Sequence, residues 1–180
     1  MKKLIKSYGL LVLVAGLVIL LDQVTKAIVR ANLPFGSSWS PFEGMASFIR
    51  IVHWENHGAA FGMFQGGGLI FGVLAAIVSL IIIVYFPRIP ENYVIMRIAL
   101  AMQMGGALGN LIDRLRFGPV TDFIAVGRFP VFNIADASIT VGVAILLVFI
   151  WLEERKELAE KRASNQVQQD FQDTTLDGQS

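Results

Sequence analysis

The chain has 180 residues, 54% of them hydrophobic and 16% charged, with a mean hydropathy of +0.61. This is the composition of a membrane protein, not of a soluble domain. A formal net charge of +1 offers no strongly basic or acidic surface for nucleic acid. The absence of cysteine excludes disulfides, thiolate metal sites, a cysteine nucleophile and lipidation of the chain's own thiols, but leaves the redox compartment open.

Four apolar segments, near residues 8–29, 69–86, 94–112 and 134–152, approach the roughly 20 residues that a helix needs to cross about 30 Å of hydrocarbon. Lys2, Lys3 and Lys6 ahead of the first segment have the look of a secretory signal, but no small-residue cleavage pattern follows and three further segments do. An uncleaved first span is expected. Lys2, Lys3, Lys6, Arg88, Arg155, Lys156, Lys161 and Arg162 fall on one side of the spans, and Arg30, Arg50, Arg114, Arg116 and Arg128 on the other. The larger set predicts cytoplasmic termini, with loops 30–68 and 113–133 facing outward.

The first outer loop holds Trp39, Phe42, Phe48, Ile49, Ile51, Val52, Trp54, Phe61 and Phe64 among glycines and serines, and "SFIRIVHWE" carries strand-type residues. The fold class expected is an all-α membrane protein with four transmembrane helices and a small extracytoplasmic β-rich element. Residues 1–152 form its single domain. Residues 153–180 form a charged, then polar tail, expected to be disordered beyond a short extension of the fourth helix.

The third span runs outward to "GNLIDR" and the fourth begins outside at "FNIADA", so Asp113 and Asp136 are expected at one depth, near the outer interface. Asn110 lies one turn from Asp113 on the same face, and Asn133 stands just outside Asp136. An acid at such a depth is a functional candidate by default. The bland alternative makes Asp136 the N-cap of the fourth helix and pairs Asp113 with Arg114 or Arg116 at the surface. Two close carboxylates share a proton and work as base and acid, activating water against a peptide carbonyl without a covalent intermediate.

Ser79 and Ser138 lie outside any Gly-x-Ser-x-Gly frame, which argues against a serine mechanism. His53, Glu55 and His57 would share one strand face, yet they lack the zincin spacing, and no metal or other cofactor is expected. Asp22 and Lys26 share a helix face. They either neutralise each other, with the lysine snorkelling outward, or brace the site.

The blocks "DQVTK" at 22–26, "NHGAAF" at 56–61, "GGALGNLIDR" at 105–114, "VTDF" at 120–123 and "FNIADA" at 132–137 together resemble the lipoprotein signal peptidase family, or signal peptidase II. The resemblance runs from the first span to the fourth. It implies a bacterial inner-membrane aspartyl endopeptidase that cuts diacylglyceryl-modified prolipoproteins immediately before the lipidated cysteine. It further implies Asp113 and Asp136 as the dyad, Asn56, Gly58, Asn110, Arg114 and Asn133 around the substrate, and Asp22 and Lys26 as a functional pair. Thr121 departs from the family, where a second apolar residue is common. Expected partners are the prolipoproteins, membrane lipids and globomycin-type inhibitors, acting on a monomer. The rivals are a proton-coupled carrier using Asp22, Lys26, Asp113 and Asp136, and a non-enzymatic assembly factor, although no inverted repeat supports a carrier.

Overall fold

A computed structural model of the chain describes residues 2–40, 44, 48–58 and 67–177. Phe42, Phe61 and Phe64, and residues 59–61 of the second block, lie outside them. The elements in chain order are α1 (Lys2–Asn32), β1 (Ser38–Trp39), β2 (Ile49–Asn56), α2 (Gly68–Tyr85), α3 (Val94–Arg116), β3 (Val120–Val126) and α4 (Ile134–Asp177). A single 3-10 turn, Phe86–Arg88, follows α2, with Pro87 early in it where a missing N–H costs nothing.

Each helix contains a stretch long and apolar enough to span a membrane: Tyr8–Asn32, Gly68–Arg88, Val94–Arg116 and Ile134–Gln166. Their outer faces carry bare leucines and valines, such as Leu13, Leu17, Leu69 and Leu147, which only hydrocarbon covers at low cost. α4 runs on to Asp177, past the point where the polar composition predicts order to end. No glycine or proline interrupts the chain between Gly142 and Gly178, so the helix meets no breaker.

α3 is the hub of the bundle and packs against each of the other three helices. Half of its most apolar window is buried (50%), against 22%, 22% and 17% for α1, α2 and α4. Its glycines make this possible, because without side chains the helix backbones can close up. A Cβ on Gly105 would lie 2.8 Å from Val18 Cβ and 2.9 Å from Ala15 O of α1. One on Gly106 would strike Ala135 O and lie 2.7 Å from Ile139 Cγ1 of α4. Toward the ends assigned to the cytoplasm, an apolar core of Leu11, Ala15, Ile82, Phe86, Ala101 and Met104 closes the bundle.

The small β element is a three-stranded antiparallel sheet of order β1-β2-β3. The strand expected in the first loop is present as β2. Its partner β3 comes from the second outer loop, where the sequence reading placed no strand. Trp54 pairs with Asp122, Glu55 with Thr121 and Asn56 with Val120 across the β2–β3 ladder, and the register shifts between Ile51 and Trp54. Trp39, Phe48 and Trp54 stay more than half exposed, as aromatics at a membrane interface do.

The packing at α3 makes a sharp prediction for thermal unfolding in detergent. Gly106→Ala should lower the midpoint, because the contacts are with backbone and a branched side chain. Gly16→Ala, where nothing lies within 4 Å, should be neutral or raise stability by up to about 1 kcal/mol through helix propensity.

Candidate active site

Asp22, Lys26 and Arg30 recur every four residues on α1 and therefore form one stripe, which faces α3. The side chains of Asp22, Lys26 and Asp113 are all fully buried. Lys26 Nζ lies 2.8 Å from Asp22 Oδ2 and 3.2 Å from Asp113 Oδ2 and donates to Asn110 Oδ1 at 2.9 Å. The lysine thus turns inward and does not snorkel. An ion in such a place is tolerable only with its charge matched and its hydrogens placed.

Asp113 takes part in this cluster and not in a surface pair with Arg114 or Arg116. Besides Lys26 it accepts Thr121 N–H at 3.0 Å through Oδ2 and Gln23 Nε2 at 3.0 Å through Oδ1, with Arg30 Nη1 at 3.8 Å. Arg30 also donates to Thr121 Oγ1 at 2.8 Å and lies over the Phe117 ring at 4.4 Å. These bonds tie the start of β3 to α1 and α3. Thr121 supplies both anchors, one with its backbone N–H and one with its hydroxyl.

Asp122, the next residue along β3, points the other way, as strand alternation requires. It lines a cavity of about 520 Å³ together with Asn56, Gly58, Asn110, Arg114 and Asp136; Phe71, Phe132, Ile139 and Val141 form the apolar walls. Asn56 Nδ2 donates to Asp122 Oδ2 at 3.0 Å and Asn133 Nδ2 to Oδ1 at 2.7 Å. Asn56 is held in turn by Gly58 N–H, which donates to its Oδ1 at 3.0 Å. Burial, and then the charge of Asp136, push the Asp122 carboxyl up from the ordinary range to about 7 against the pull of Asn56, Asn133 and Lys26.

Asp136 belongs to a capping box at the start of α4. Asn133 Oδ1 accepts Asp136 N–H at 2.9 Å, and Asp136 Oδ2 accepts Asn133 N–H at 3.3 Å. The N-cap is therefore Asn133, and Asp136 is its partner inside the first turn. The other oxygen, Oδ1, accepts Asn110 Nδ2 at 2.7 Å and faces the cavity. Arg114 reaches the same cavity, with its guanidinium 5.6 Å from the Phe71 ring centre.

The structure accordingly brings Asn56, Gly58, Asn110, Arg114 and Asp136 to one cavity, and Asn133 to both of its acids. It does not bring Asp113 there. Asp113 lies in the last turn of α3, but its azimuth points it at Lys26, and the second acid on the cavity wall is Asp122. The signal available was an acid in the apolar "VTDF" block, whose burial on a strand demands partners. Gln23 and Arg30, which brace Asp113, were also missed.

His53 is buried with Nδ1 2.7 Å from Leu33 O, while His57 lies beyond β2, 3.9 Å from Glu55. These three residues do not converge, and among the described residues no cluster of three His, Cys, Asp or Glu could hold a metal ion.

Residues 14–152 match the family described as signal peptidase (SPase) II. The chain belongs to that family. Two relatives carry the name lipoprotein signal peptidase. One, from Moorella thermoacetica, is 40% identical over 134 residues, covering 74% of this chain and 87% of the relative. The other, from Staphylococcus aureus strain JH9, is 36% identical over 157 residues, covering 85% and 94%. Two solved structures, each described as a bacterial membrane enzyme determined in meso, at 2.3 and 1.9 Å, match with TM-scores of 0.75 and 0.71. Their identities are 33% and 34%, over 81% and 79% of this chain and 90% and 92% of theirs. Signal peptidase II enzymes are membrane aspartic peptidases, which agrees with two acids on one cavity wall.

Asp113→Asn should act first on the fold. It removes charge from a bond to Lys26 and from the anchor of β3, so unfolding in detergent should show a loss of about 1–3 kcal/mol, the cost of weakening charged hydrogen bonds.

Proposed function

We propose that this signal peptidase II cuts the signal peptide from diacylglyceryl-modified prolipoproteins just before the lipidated cysteine, using Asp122 and Asp136 as its dyad. The observation that carries the proposal is their shared cavity, in which each carboxylate is oriented by asparagine donors and Asp122 is pushed up to about 7. Asp136 takes two donors, Asn110 Nδ2 and Asn133 N–H, and acts as the ionised base. Asp122 carries the shared proton. Asp136 removes a proton from a water in the cavity while Asp122 hydrogen-bonds the scissile carbonyl, and the proton gathered by the pair then serves the departing amine.

The apolar walls suit the rest of the substrate. Phe71 on α2 and Ile139 and Val141 on α4 give the cavity a side facing hydrocarbon, where acyl chains would lie, and Arg114 is placed to hold the substrate's backbone carbonyls. With the termini cytoplasmic, by the lysine and arginine bias, the cavity sits in the outer leaflet at the depth of a lipidated cysteine. The sheet, with its exposed aromatics, would support the extended substrate from the interface. Membrane lipids and globomycin-type inhibitors are the other expected ligands, and the monomer carries the full dyad. A proton-coupled carrier is disfavoured because Asp22, Lys26 and Asp113 close on one another in a sealed cluster and do not line a path.

The test is cleavage of a diacylglyceryl-prolipoprotein in detergent. Asp122→Asn and Asp136→Asn should each lower kcat by about 10³-fold or more while remaining folded at the assay temperature, whereas Asp113→Asn should keep measurable turnover. Near-normal turnover by folded Asp122→Asn would return the dyad assignment to Asp113.

The pH dependence follows from sign. A carboxyl raised to about 7 stays protonated below that pH and loses its proton above it. A pair needing one proton should therefore lose activity as pH rises through about 7, seen as a falling basic limb in kcat/KM of the free enzyme.

A further inference from the structure

Asn110 is a carboxamide with a donating and an accepting end, and whichever end faces the cavity decides whether Asp136 meets a hydrogen or a lone pair. We propose that Lys26 is a positioning residue for the dyad, fixing the orientation of the Asn110 carboxamide so that its N–H is presented to Asp136. This rests on reading Asp122 and Asp136 as the reacting pair.

An ammonium has three hydrogens and nothing to accept with. The lysine's hydrogens meet Asp22 Oδ2, Asp113 Oδ2 and Asn110 Oδ1. Asn110 Oδ1 accepts a second hydrogen, from Asn133 Nδ2 at 3.1 Å, so its oxygen end lies between two donors. Turning the carboxamide over would set its NH2 against both donors and its oxygen against the Asp136 carboxylate. The only stable arrangement leaves Asn110 Nδ2 on Asp136 Oδ1, at 2.7 Å.

Asn133 is fixed by different means. Its oxygen is committed to Asp136 N–H in the capping box, so its NH2 must face Asp122 and Asn110. One amide is therefore oriented by a helix end and the other by a buried cation. The charged groups around Asn110 are Asp22 and Lys26 on α1, Asp113 and Arg114 on its own helix, Asp122 on β3 and Asp136 on α4.

The test separates orientation from bare charge. Replacing Asp22→Asn and Lys26→Met together removes one charge of each sign, so the net charge near the dyad is unchanged while the donor to Asn110 is lost. The expected result is a fall in kcat of about 10-fold or more, with the acid limb of the kcat profile moved to higher pH because the ionised carboxylate has lost a fixed donor. In an Asn110→Ala background the same pair should change kcat by less than about 3-fold, since the group it acts through is gone. An equal fall in both backgrounds, or wild-type kcat and acid limb with Asn110 intact, overturns the proposal. If the paired variant does not fold, Asp22→Asn with Lys26→Gln replaces it: the glutamine amide is neutral and sits on a shorter side chain, so the fixed donor to Asn110 is lost, the same fall in kcat and shift of the acid limb are expected, and wild-type values for both overturn the proposal. Turnover by folded Asp122→Asn would instead defeat the dyad reading itself, so the two failures are distinguishable.

Discussion

A lysine ammonium with no exposed surface, set among membrane helices, is the feature on which the rest of the polar end of the bundle depends. Taken alone it would cost several kcal/mol, and the chain accommodates it by closing two carboxylates and an amide oxygen around it. Each of those partners has a second task. Asp113 holds β3 through Thr121 N–H, and Asp22 accepts Ala135 N–H at 3.0 Å in the first turn of α4. Asn110 passes its own N–H to Asp136. The cation and its partners thus join α1, α3, β3 and the start of α4.

That network needs close backbones, and the glycines of α3 provide them. A Cβ on Gly109 would lie 2.8 Å from Asp22 Oδ2, so only glycine lets the carboxylate sit against α3 within reach of both Lys26 and α4. The bundle is accordingly divided along its length. One end is closed by leucine, isoleucine and phenylalanine, while the other is packed with hydrogen-bonded ions and amides. Such a polar end is stable only if every member has its partners. It also leaves two carboxylates, Asp122 and Asp136, on the wall of one cavity.

Much of this was legible in the chain. The four spans follow from hydropathy, β2 from its β-branched and aromatic residues, and interest in Asp136, Asn110 and Asn133 from the expense of polar groups in a membrane. Asn56, Gly58 and Arg114 came only with the family resemblance, and Asp122 was not named. The helical tail to Asp177 was hidden by weighing polar composition above the absence of breakers. The partnership of β3 with β2 was not legible, because it depends on a ladder between residues far apart in sequence.

Sequence alone determined that acids stand at the end of the third span and the start of the fourth, because helical rise converts residue number into position along a span. Which acid faces Asp136 was decided by tertiary structure. Depth says nothing of azimuth, and Asp113 turns toward a cation on α1 whose position depends on how two helices pack. Asp122 reaches the cavity only because β3 is pinned on one face by Asp113 and Arg30 and paired on its edge with β2, so that strand alternation sends the next side chain to the opposite side.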